Sequence, residues 1–361
     1  MKTPKFLIPV LLTIIALVLQ AGIGYTLAND KASIVYPTPP AQVEVATTND
    51  ITYTEPELVE TSPPNNTEPP QYVLANQPEI AMPNDPYFDR QWALNKINIF
   101  QLWQMTTAKE DALVAVLDTG IDPDHQDLNG LIVDEANLTD SPSPDDIYGH
   151  GTHVAGIIAA KNDDVGIVGV APGCRLLNAK VADDAGRCQA SALVEGIIWA
   201  VNNGASVINI SLEIKEPSPQ LEEAVNYAWN HGCIIIAAAG NDGNESPVYP
   251  AYYENCVAVA AINQNSNLAP LSNYGDWVDV AAPGYDIYST LPDNDYGYKT
   301  GTSFATAYVS GMAALLFNVV TDTNSDGRLN DEVRAAIEAG CQEIGITGTG
   351  NGQIDASKAI P

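Results

Sequence analysis

The chain alternates short, nearly uninterrupted apolar runs with longer segments of helical periodicity. The runs with the strongest signal are LVAVL at 113–117, SVINISL at 206–212, CIIIAAA at 233–239 and CVAVAAI at 256–262. Strands that are apolar on both faces are typical of parallel sheets covered by helices on each side. The pattern therefore predicts an α/β fold, and such folds place their functional groups at the carboxyl ends of the strands.

Two of the intervening segments carry clear helix boundaries. In ASALVEGIIWAVNNG, residues 190–204, the apolar side chains share one helical face and Gly204 is suited to terminate the helix. The next helix is predicted to begin with Ser218 as N-cap and Pro219 at the first helical position. These helices supply the covering layers that the apolar strands require.

The N-terminal region differs in composition from the rest of the chain. Residues 1–28 are typical of a targeting segment, because two lysines precede an apolar run from 6 to about 24 and small residues at 26–28 offer a cleavage site. The run is long for a signal peptide, so an uncleaved membrane anchor is the alternative. Residues 29–81, rich in Pro, Thr, Glu and Asn, predict a linker or short pro-region, and 82–361 have the composition of a globular domain.

Charge and cysteine content narrow the class of protein. The formal net charge of −30 argues against binding nucleic acid, which requires basic patches. Five cysteines in a chain predicted to be exported permit disulfides. Cys233 and Cys256 each begin a predicted strand, so a bridge between them is expected if those strands are parallel neighbours. Cys174 and Cys188 are a weaker second pair.

An aspartate ends the first predicted strand, in LVAVLDTGIDP. The triplet DTG also occurs in aspartic proteases, which need two such carboxylates sharing a proton. No second DTG or DSG exists in the chain, which disfavours that class. Asp118 is then either a loop residue that closes a turn with Gly120 or a catalytic carboxylate.

The segment YGHGTHVAGIIAA places His150 at the start of a helix of small residues. A zinc site formed by His150 and His153 is weakly supported, because the HExxH pattern is absent and no third ligand is apparent. A catalytic base held at a helix start and a structural histidine at a tight turn are the two interpretations left open.

Two further polar residues lie beside apolar elements. Asn241 follows the strand CIIIAAA, either as a turn residue or as an amide donor directed at an oxyanion. Ser303, in GTSFATAYVSG, is favoured as an N-cap by its local sequence alone. The helix that follows is apolar nearly all round, which predicts burial, and its N-terminus would stabilise a negative intermediate formed on that serine.

Taken in chain order, these motifs resemble those of the subtilisin-like serine proteases, or subtilases, and within them the thermitase-like branch. The matching segments are DTGID at 118–122, GHGTHVAG at 149–156, AAGN at 238–241, GTS at 301–303 and, at the start of the domain, NDPYFDRQW at 84–92. The resemblance covers about 82–361. It implies a three-layer α/β fold with a central, mostly parallel sheet of about seven strands.

The resemblance also implies a reaction and the residues that perform it. Ser303 would attack the scissile carbonyl, His150 would accept its proton and Asp118 would hold the imidazole, with Asn241 in the oxyanion hole. The walls that bind substrate would be formed by Ser211, Leu212, Glu213, Ala238, Ala239, Gly240 and Val248. Glu213 departs from the glycines usual in the family, and Val248 would narrow the S1 pocket.

Structural calcium is the cofactor that the resemblance implies. The loop AAKNDDVGIVGVAP, at 159–172, matches without a gap the family loop that wraps a calcium site. Its oxygen ligands would come from the side chains of Asp85, Asp127 and Asp163 and from the carbonyls of Val165 and Ile167. The alternative is that these are solvated acidic loops.

A second calcium candidate is DTNSDGRLNDEV, residues 322–333, which resembles an EF-hand-type loop. Asp322, Asn324 and Asp326 occupy positions 1, 3 and 5, but position 12 is Val333, where a bidentate acid belongs. A turn rich in Asp and Asn before a helix is the alternative.

The sequence thus predicts a secreted, calcium-stabilised, monomeric serine endopeptidase that acts on polypeptides and binds no nucleic acid. Contact with a membrane is expected only if the N-terminal segment is uncleaved. The alternative function is a membrane-tethered, catalytically weak or inactive binding module with the subtilase fold.

Overall fold

The computed structural model describes residues 82–106 and 112–360. The predicted targeting segment and linker, at 1–28 and 29–81, lie outside the described residues. The strands are β1 Leu113–Asp118, β2 Ile132–Asn137, β3 Arg175–Lys180, β4 Val207–Ile210, β5 Ile234–Ala238, β6 Cys256–Ile262, β7 Val280–Pro283, β8 Ile287–Leu291 and β9 Asp295–Lys299. The α-helices are α1 Trp92–Lys96, α2 Ile99–Met105, α3 Gly151–Ala159, α4 Ala190–Asn202, α5 Pro219–Asn230, α6 Thr302–Leu316 and α7 Asn330–Ala339.

Strands β1 to β7 form one sheet of seven strands, in the order β2-β3-β1-β4-β5-β6-β7. Every neighbouring pair is parallel, which confirms the predicted fold class. Strand β1 lies between β3 and β4, so the strand order reverses there and a crevice opens at its carboxyl end. Asp118 is the last residue of β1 and therefore lies at this crevice.

The two faces of the sheet pack against different helices. Along β1, Val114 and Val116 belong to the core that contains α3 and α6, whereas Ala115 and Leu117 belong to the core under α4 and α5. This alternation is the period of two that a strand imposes. The sheet is therefore the middle of three layers. Because helices cover both of its faces, the strands are apolar on both sides.

Helix α6 has no exposed face, since every residue from Thr302 to Leu316 is buried. The N-cap is Gly301, so Ser303 is the second residue of the helix and its interpretation as the N-cap is wrong. Gly311 allows close packing, because a Cβ there would lie 2.6 Å from the Val170 Cβ. The helix that carries Ser303 is thus held by the core on all sides.

Both helix boundaries read from the sequence are confirmed. Helix α4 ends at Asn202, and Gly204 follows with φ of 80°, a conformation that favours glycine. Ser218 caps α5, because its Oγ accepts a hydrogen bond from the Leu221 N–H at 3.3 Å.

Among the strands of the described residues, β2, β3, β7, β8 and β9 lie outside the four apolar runs named above. Strand β2 is a polar edge strand with exposed residues at its centre, and β8 and β9 form an antiparallel hairpin. The hairpin supports α3, because the hydroxyls of Ser289 and Thr290 donate to the carbonyls of His153 and Thr152 at 2.8 and 2.7 Å. It therefore fixes the helix that begins next to His150.

The predicted disulfides are wrong, because all five cysteines are free. In the β5–β6 register Cys256 lies opposite Ile235, so Cys233 is displaced by two residues along the strand. That displacement puts the two Cα atoms about 8 Å apart, too far for a bridge. Cys233 instead donates to the Ala205 carbonyl at 2.9 Å, while Cys174 and Cys188 belong to the cores on opposite faces of the sheet.

In the described ranges 82–106 and 112–360, no helix is both long enough and apolar enough to cross a membrane.

Candidate active site

Asp118 and His150 meet at the carboxyl end of β1. The His150 Nδ1 lies 2.7 Å from the Asp118 Oδ1, and both residues are buried. The same carboxylate oxygen accepts the Thr119 N–H at 2.7 Å. A carboxylate at this distance fixes the orientation and tautomer of an imidazole and stabilises its protonated form.

Ser303 approaches the site from α6. Its Oγ donates to the Ser211 carbonyl at 3.1 Å, and the Ser211 hydroxyl donates to the Ser303 carbonyl at 3.0 Å. Ser211 Oγ in turn accepts from the Asn209 amide at 2.9 Å, and Asn209 accepts from Ser310 on α6. This polar chain between β4 and α6 ties the nucleophile candidate to the sheet.

Phe304, the residue after Ser303, packs against the helix that begins after His150. Its ring centroid lies 5.4 Å from that of His150 and 4.5 Å from that of His153. His153 is fully buried, and desolvation holds its pKa well below the usual value for histidine. The two histidines are thus in different environments, and only His150 has a carboxylate partner in hydrogen-bond range.

The zinc interpretation gains no support. Among residues 82–106 and 112–360, no group of three or more His, Cys, Asp or Glu side chains is placed to hold a metal ion.

Asn241 lies at the carboxyl end of β5, beside the start of α6. Its Oδ1 accepts hydrogen bonds from the Thr302 N–H at 2.9 Å and from the Thr302 hydroxyl at 3.1 Å. Both contacts use the carbonyl oxygen, so neither occupies the amide nitrogen. The loop is held in place by Asn273, whose Oδ1 accepts from the Asp242 N–H at 3.0 Å.

Glu213 lies two residues after Ser211 and spans the gap towards β5. Its side chain is buried, and its Oε1 pairs with Lys215 at 2.6 Å. Lys215 also pairs with Asp242. The Glu213 Oε2 has no partner and lies 2.3 Å from the position that a Cβ on Gly240 would take. Glycine is favoured at 240 because its φ is 96°, in the left-handed region.

The other apolar residues assigned to the substrate walls are buried. Leu212 and Val248 belong to the core beneath β4 and β5, and Ala239 to a small core around β6. Ala238, at the end of β5, is also buried.

The first calcium candidate brings together Asp85 and Asp127 beside the loop at 163–167. The Asp127 Oδ2 accepts from the Ile167 N–H at 3.0 Å, and the Asp85 Oδ1 accepts from the Asp163 N–H at 3.3 Å. The Asp163 side chain itself is exposed.

Two carboxylate oxygens in that cluster are buried without a partner, namely Asp85 Oδ2 and Asp127 Oδ1. Burial, followed by repulsion from the neighbouring carboxylates, raises the pKa of Asp127 to about 6. Burial also raises the pKa of Asp85. Unpaired buried oxygens of this kind are suited to a hard cation such as calcium.

The second candidate, at 322–333, is an exposed loop whose ligand residues are already occupied. Asp322 accepts the N–H groups of Ser325 and Gly327 at 2.6 and 2.9 Å. Asn324 accepts from the Asp326 N–H at 2.8 Å, and Asp326 pairs with Arg328 at 2.5 Å.

Comparison with known proteins defines the class. Residues 109–341 match the sequence profile of the Subtilase family, so the chain belongs to this family and is a serine endopeptidase. It is 44% identical to thermitase from Thermoactinomyces vulgaris over 283 residues, which are 77% of this chain and 99% of thermitase.

Two further similarities support the assignment. The chain is 43% identical to a thermophilic serine proteinase from Bacillus sp. strain AK1, over 77% of this chain and 69% of that protein. The solved structure of a protease from Pseudoalteromonas arctica aligns with a TM-score of 0.71 at 30% identity, covering 78% of this chain and 99% of the other. The resemblance read from the motifs is confirmed.

The polar chain through Asn209 is a part of the site that the motifs did not reveal. Asn209 lies in an apolar strand, and its only sequence signal was a polar side chain inside a run predicted to be buried.

Proposed function

We propose that the protein is an exported, calcium-stabilised endopeptidase that cleaves polypeptides with Asp118, His150 and Ser303. The observation that carries this proposal is the 2.7 Å contact between the His150 Nδ1 and the Asp118 Oδ1. The packing of Phe304, the residue after Ser303, against the His150 ring at 5.4 Å supports a place for Ser303 beside this pair. An oriented imidazole near a serine at a helix N-terminus is the arrangement that nucleophilic acyl transfer requires.

The reaction has two steps, formation of the acyl-enzyme and its hydrolysis. The Ser303 Oγ forms a bond to the scissile carbonyl carbon while its proton passes to the His150 Nε2, and the C–N bond then breaks as this proton moves to the leaving amine. Water next attacks the acyl-enzyme ester, with His150 again as base, and Ser303 is released. Asp118 keeps the imidazole in the tautomer that presents Nε2 and stabilises the imidazolium.

The oxyanion formed in both steps is stabilised by the Asn241 amide and the Ser303 N–H. Thr302 supports this role of Asn241, because its two hydrogen bonds hold the carbonyl oxygen and leave the nitrogen to donate. The positive end of the α6 dipole acts in the same direction.

We assign the substrate cleft to the segments that follow the carboxyl ends of β4 and β5. Glu213 and its partners Lys215 and Asp242 support a charged wall there, and the buried Val248 supports a shallow S1 pocket. The monomer is the form we expect to act on polypeptides.

Substitution at the site tests the proposal with a chromogenic peptide and a serine-directed covalent inhibitor. We expect Ser303→Ala to abolish both hydrolysis and labelling, and Asn241→Ala to lower kcat by about 10²–10³-fold while labelling persists at a reduced rate. A wild-type protein that neither hydrolyses peptides nor reacts with the inhibitor would instead support the tethered binding module.

Export and domain boundaries are proposed from the sequence: 1–28 as signal peptide, 29–81 as linker or pro-region and 82–361 as peptidase domain. N-terminal sequencing of protein from the medium and from membranes tests this. A start near residue 29 or 82 in the medium supports secretion, whereas intact chain confined to membranes supports the anchor.

Calcium is proposed to bind at Asp85, Asp127 and the 163–167 loop, where it would supply positive charge to buried carboxylates and no catalytic chemistry. The two partnerless oxygens support this site. The second loop, with Asp322, Asn324 and Asp326, has weaker support because its oxygens accept hydrogen bonds from its own backbone.

A further inference from the structure

Two buried charged residues lie beside the Asp118–His150 pair and have no part in the reaction described above. They are Asp146, in the loop before α3, and Lys180, the last residue of β3, which are 3% and 0% exposed. Burying an ionised group is unfavourable unless the group is well paired, so the contacts of these two side chains indicate what each one holds in place.

Asp146 joins the turn after Asp118 to the start of the helix after His150. Its Oδ1 accepts the Thr119 hydroxyl at 2.8 Å and the Gly149 N–H at 2.7 Å. Its Oδ2 accepts the Thr152 N–H at 2.8 Å. One carboxylate therefore binds donors on both sides of His150 and a donor next to Asp118.

Thr119 links Asp118 to the residues that flank His150. Its backbone N–H donates to the Asp118 Oδ1, the oxygen that His150 contacts. Its hydroxyl donates to Asp146 and accepts the Gly151 N–H at 3.0 Å. A shift of the Asp146 carboxylate would move Thr119, and with it the partner of the imidazole.

Lys180 holds the same two segments from the sheet side. It lies opposite Asp118 in the β1–β3 register, and its Nζ donates to the Thr119 carbonyl and, at 3.2 Å, to the Asp145 carbonyl. The third partner of the ammonium is Asp184 at 3.0 Å. Lys180 thus fixes one residue after Asp118 and one residue before Asp146.

The turn after Asp118 and the loop before α3 pack too closely for either backbone segment to shift. Gly120 has φ of 107°, and a Cβ there would lie 2.3 Å from the Pro144 carbonyl oxygen. The Asn178 amide donates to that oxygen at 3.2 Å, from the same side of β3 as Lys180.

We propose that Asp146 and Lys180 are positioning residues that set the distance and orientation of the Asp118–His150 pair. The inference rests on the proposed function of that pair. The opposite charges of the two residues bind the backbone on both sides of the pair, so the imidazole is held against the carboxylate by a buried network.

The charged and titratable groups around His150 come from each neighbouring element. Asp118 faces it from β1 and His153 from its own helix, while Asp146 and Lys180 act from the preceding loop and β3. Of these, Asp118 is the direct partner. A longer distance between the Asp118 carboxylate and the His150 imidazole should therefore lower the pKa of His150, because the imidazolium is then less stabilised by the carboxylate.

The first test is Asp146→Asn in the full chain. The asparagine amide has one acceptor oxygen, whereas the aspartate carboxylate has two. The amide nitrogen would therefore face a backbone or hydroxyl donor, and that hydrogen bond would be lost. We expect kcat to fall about 10- to 100-fold per inhibitor-titrated site, with KM little changed, and the acid limb of the kcat/KM profile to move to lower pH.

The control is Asp279→Asn, which replaces a partly buried carboxylate that also accepts a backbone N–H, that of Ala258 at 2.7 Å. We expect its kcat per titrated site and its acid limb to match the wild type. A purely structural role for Asp146 would lower the titrated fraction but leave kcat per site and the acid limb unchanged, and that outcome would overturn the proposal.

The second test is Lys180→Met, alone and combined with Asp118→Asn. We expect Lys180→Met to lower kcat about 10-fold in the wild-type background and to have almost no further effect once the Asp118 carboxylate is gone. Equal losses in both backgrounds would contradict positioning through Asp118. Failure of the proposed function is distinguishable, because then the wild type itself would lack Ser303-dependent hydrolysis.

Discussion

The loop at 163–167 and the loop at 322–333 are both acidic and both match calcium-binding patterns, but they satisfy their oxygens differently. In the first, Asp85 and Asp127 are buried, and each has an oxygen without a partner. In the second, the pattern residues are exposed, and their oxygens accept hydrogen bonds from neighbouring N–H groups. The predicted ligand residues of the first loop therefore have unsatisfied oxygens, whereas those of the second loop have backbone partners.

Position 12 of the second loop sharpens the contrast. Val333 is fully buried in the core, and an acidic side chain at this position would lose its hydration, which would destabilise the fold. The neighbouring Glu332 instead accepts the Thr323 N–H at 2.8 Å through its Oε1, while its Oε2 and the Asp331 Oδ1 have no partner. Arg328 places a further positive charge beside Asp326.

Removal of calcium should have the largest effect. With the Ser303→Ala protein, which prevents autolysis, we expect a chelator to lower Tm by about 5–10 °C, since saturation at 100 times Kd contributes about 2.7 kcal/mol. Differential scanning calorimetry with and without calcium measures this. An unchanged Tm would mean that the buried oxygens are satisfied in another way.

Asp127→Asn in the same background should abolish most of the calcium response. The chelated variant should also be more stable at pH 7 than the chelated parent, because the amide removes a buried charge that neighbouring carboxylates repel. Calorimetry of both proteins in chelator decides the point. A variant that is less stable than its parent in chelator, or that keeps the full response, would assign the calcium effect elsewhere.

The chelated protein should lose stability as pH rises through about 6. The pKa of Asp127 is raised by burial to about 6 in the folded state and is near 3.9 when unfolded, so the folded state binds more protons between these values. This contribution is present at acidic pH and lost above pH 6, whereas calcium offsets the loss. Thermal unfolding at pH 5 and 7, with Asp127→Asn as control, should show a larger calcium effect at pH 7.

Asp326→Ala in the second loop should have the smallest effect. Exposed ion pairs such as Asp326–Arg328 contribute about 0–1 kcal/mol, so we expect a small decrease in Tm and an unchanged calcium response. Calcium titration by calorimetry checks it. A response reduced by half or more would show that this loop binds the ion after all.

The sequence predicted the parts of the fold that depend on local pattern. The β1, β4, β5 and β6 strands, the cap at Ser218 and the stop at Gly204 were all read from short stretches. The polar strand β2 was missed because an edge strand needs no apolar face.

Features that depend on register or on distant partners were beyond sequence reasoning. The disulfide between Cys233 and Cys256 failed on a two-residue offset between β5 and β6, which no composition reveals. The contacts of Asp146 and Lys180 were missed for the same reason, since each becomes meaningful only when β1, β3 and the loop before α3 meet. Asp118 and His150 could be singled out because each lies in a short contiguous motif, and their roles were then predicted from the order of the motifs along the chain.

The complete burial of α6 has a consequence for how the enzyme meets its substrates. A helix enclosed on all sides can neither slide nor fray at low free-energy cost, so Ser303 stays where the interior holds it. Under the proposed mechanism, a substrate has to bring its scissile carbonyl to this fixed position, which an extended and exposed segment can do most readily. The protein should for this reason prefer loops and denatured chains to folded domains, as a consequence of its own rigidity.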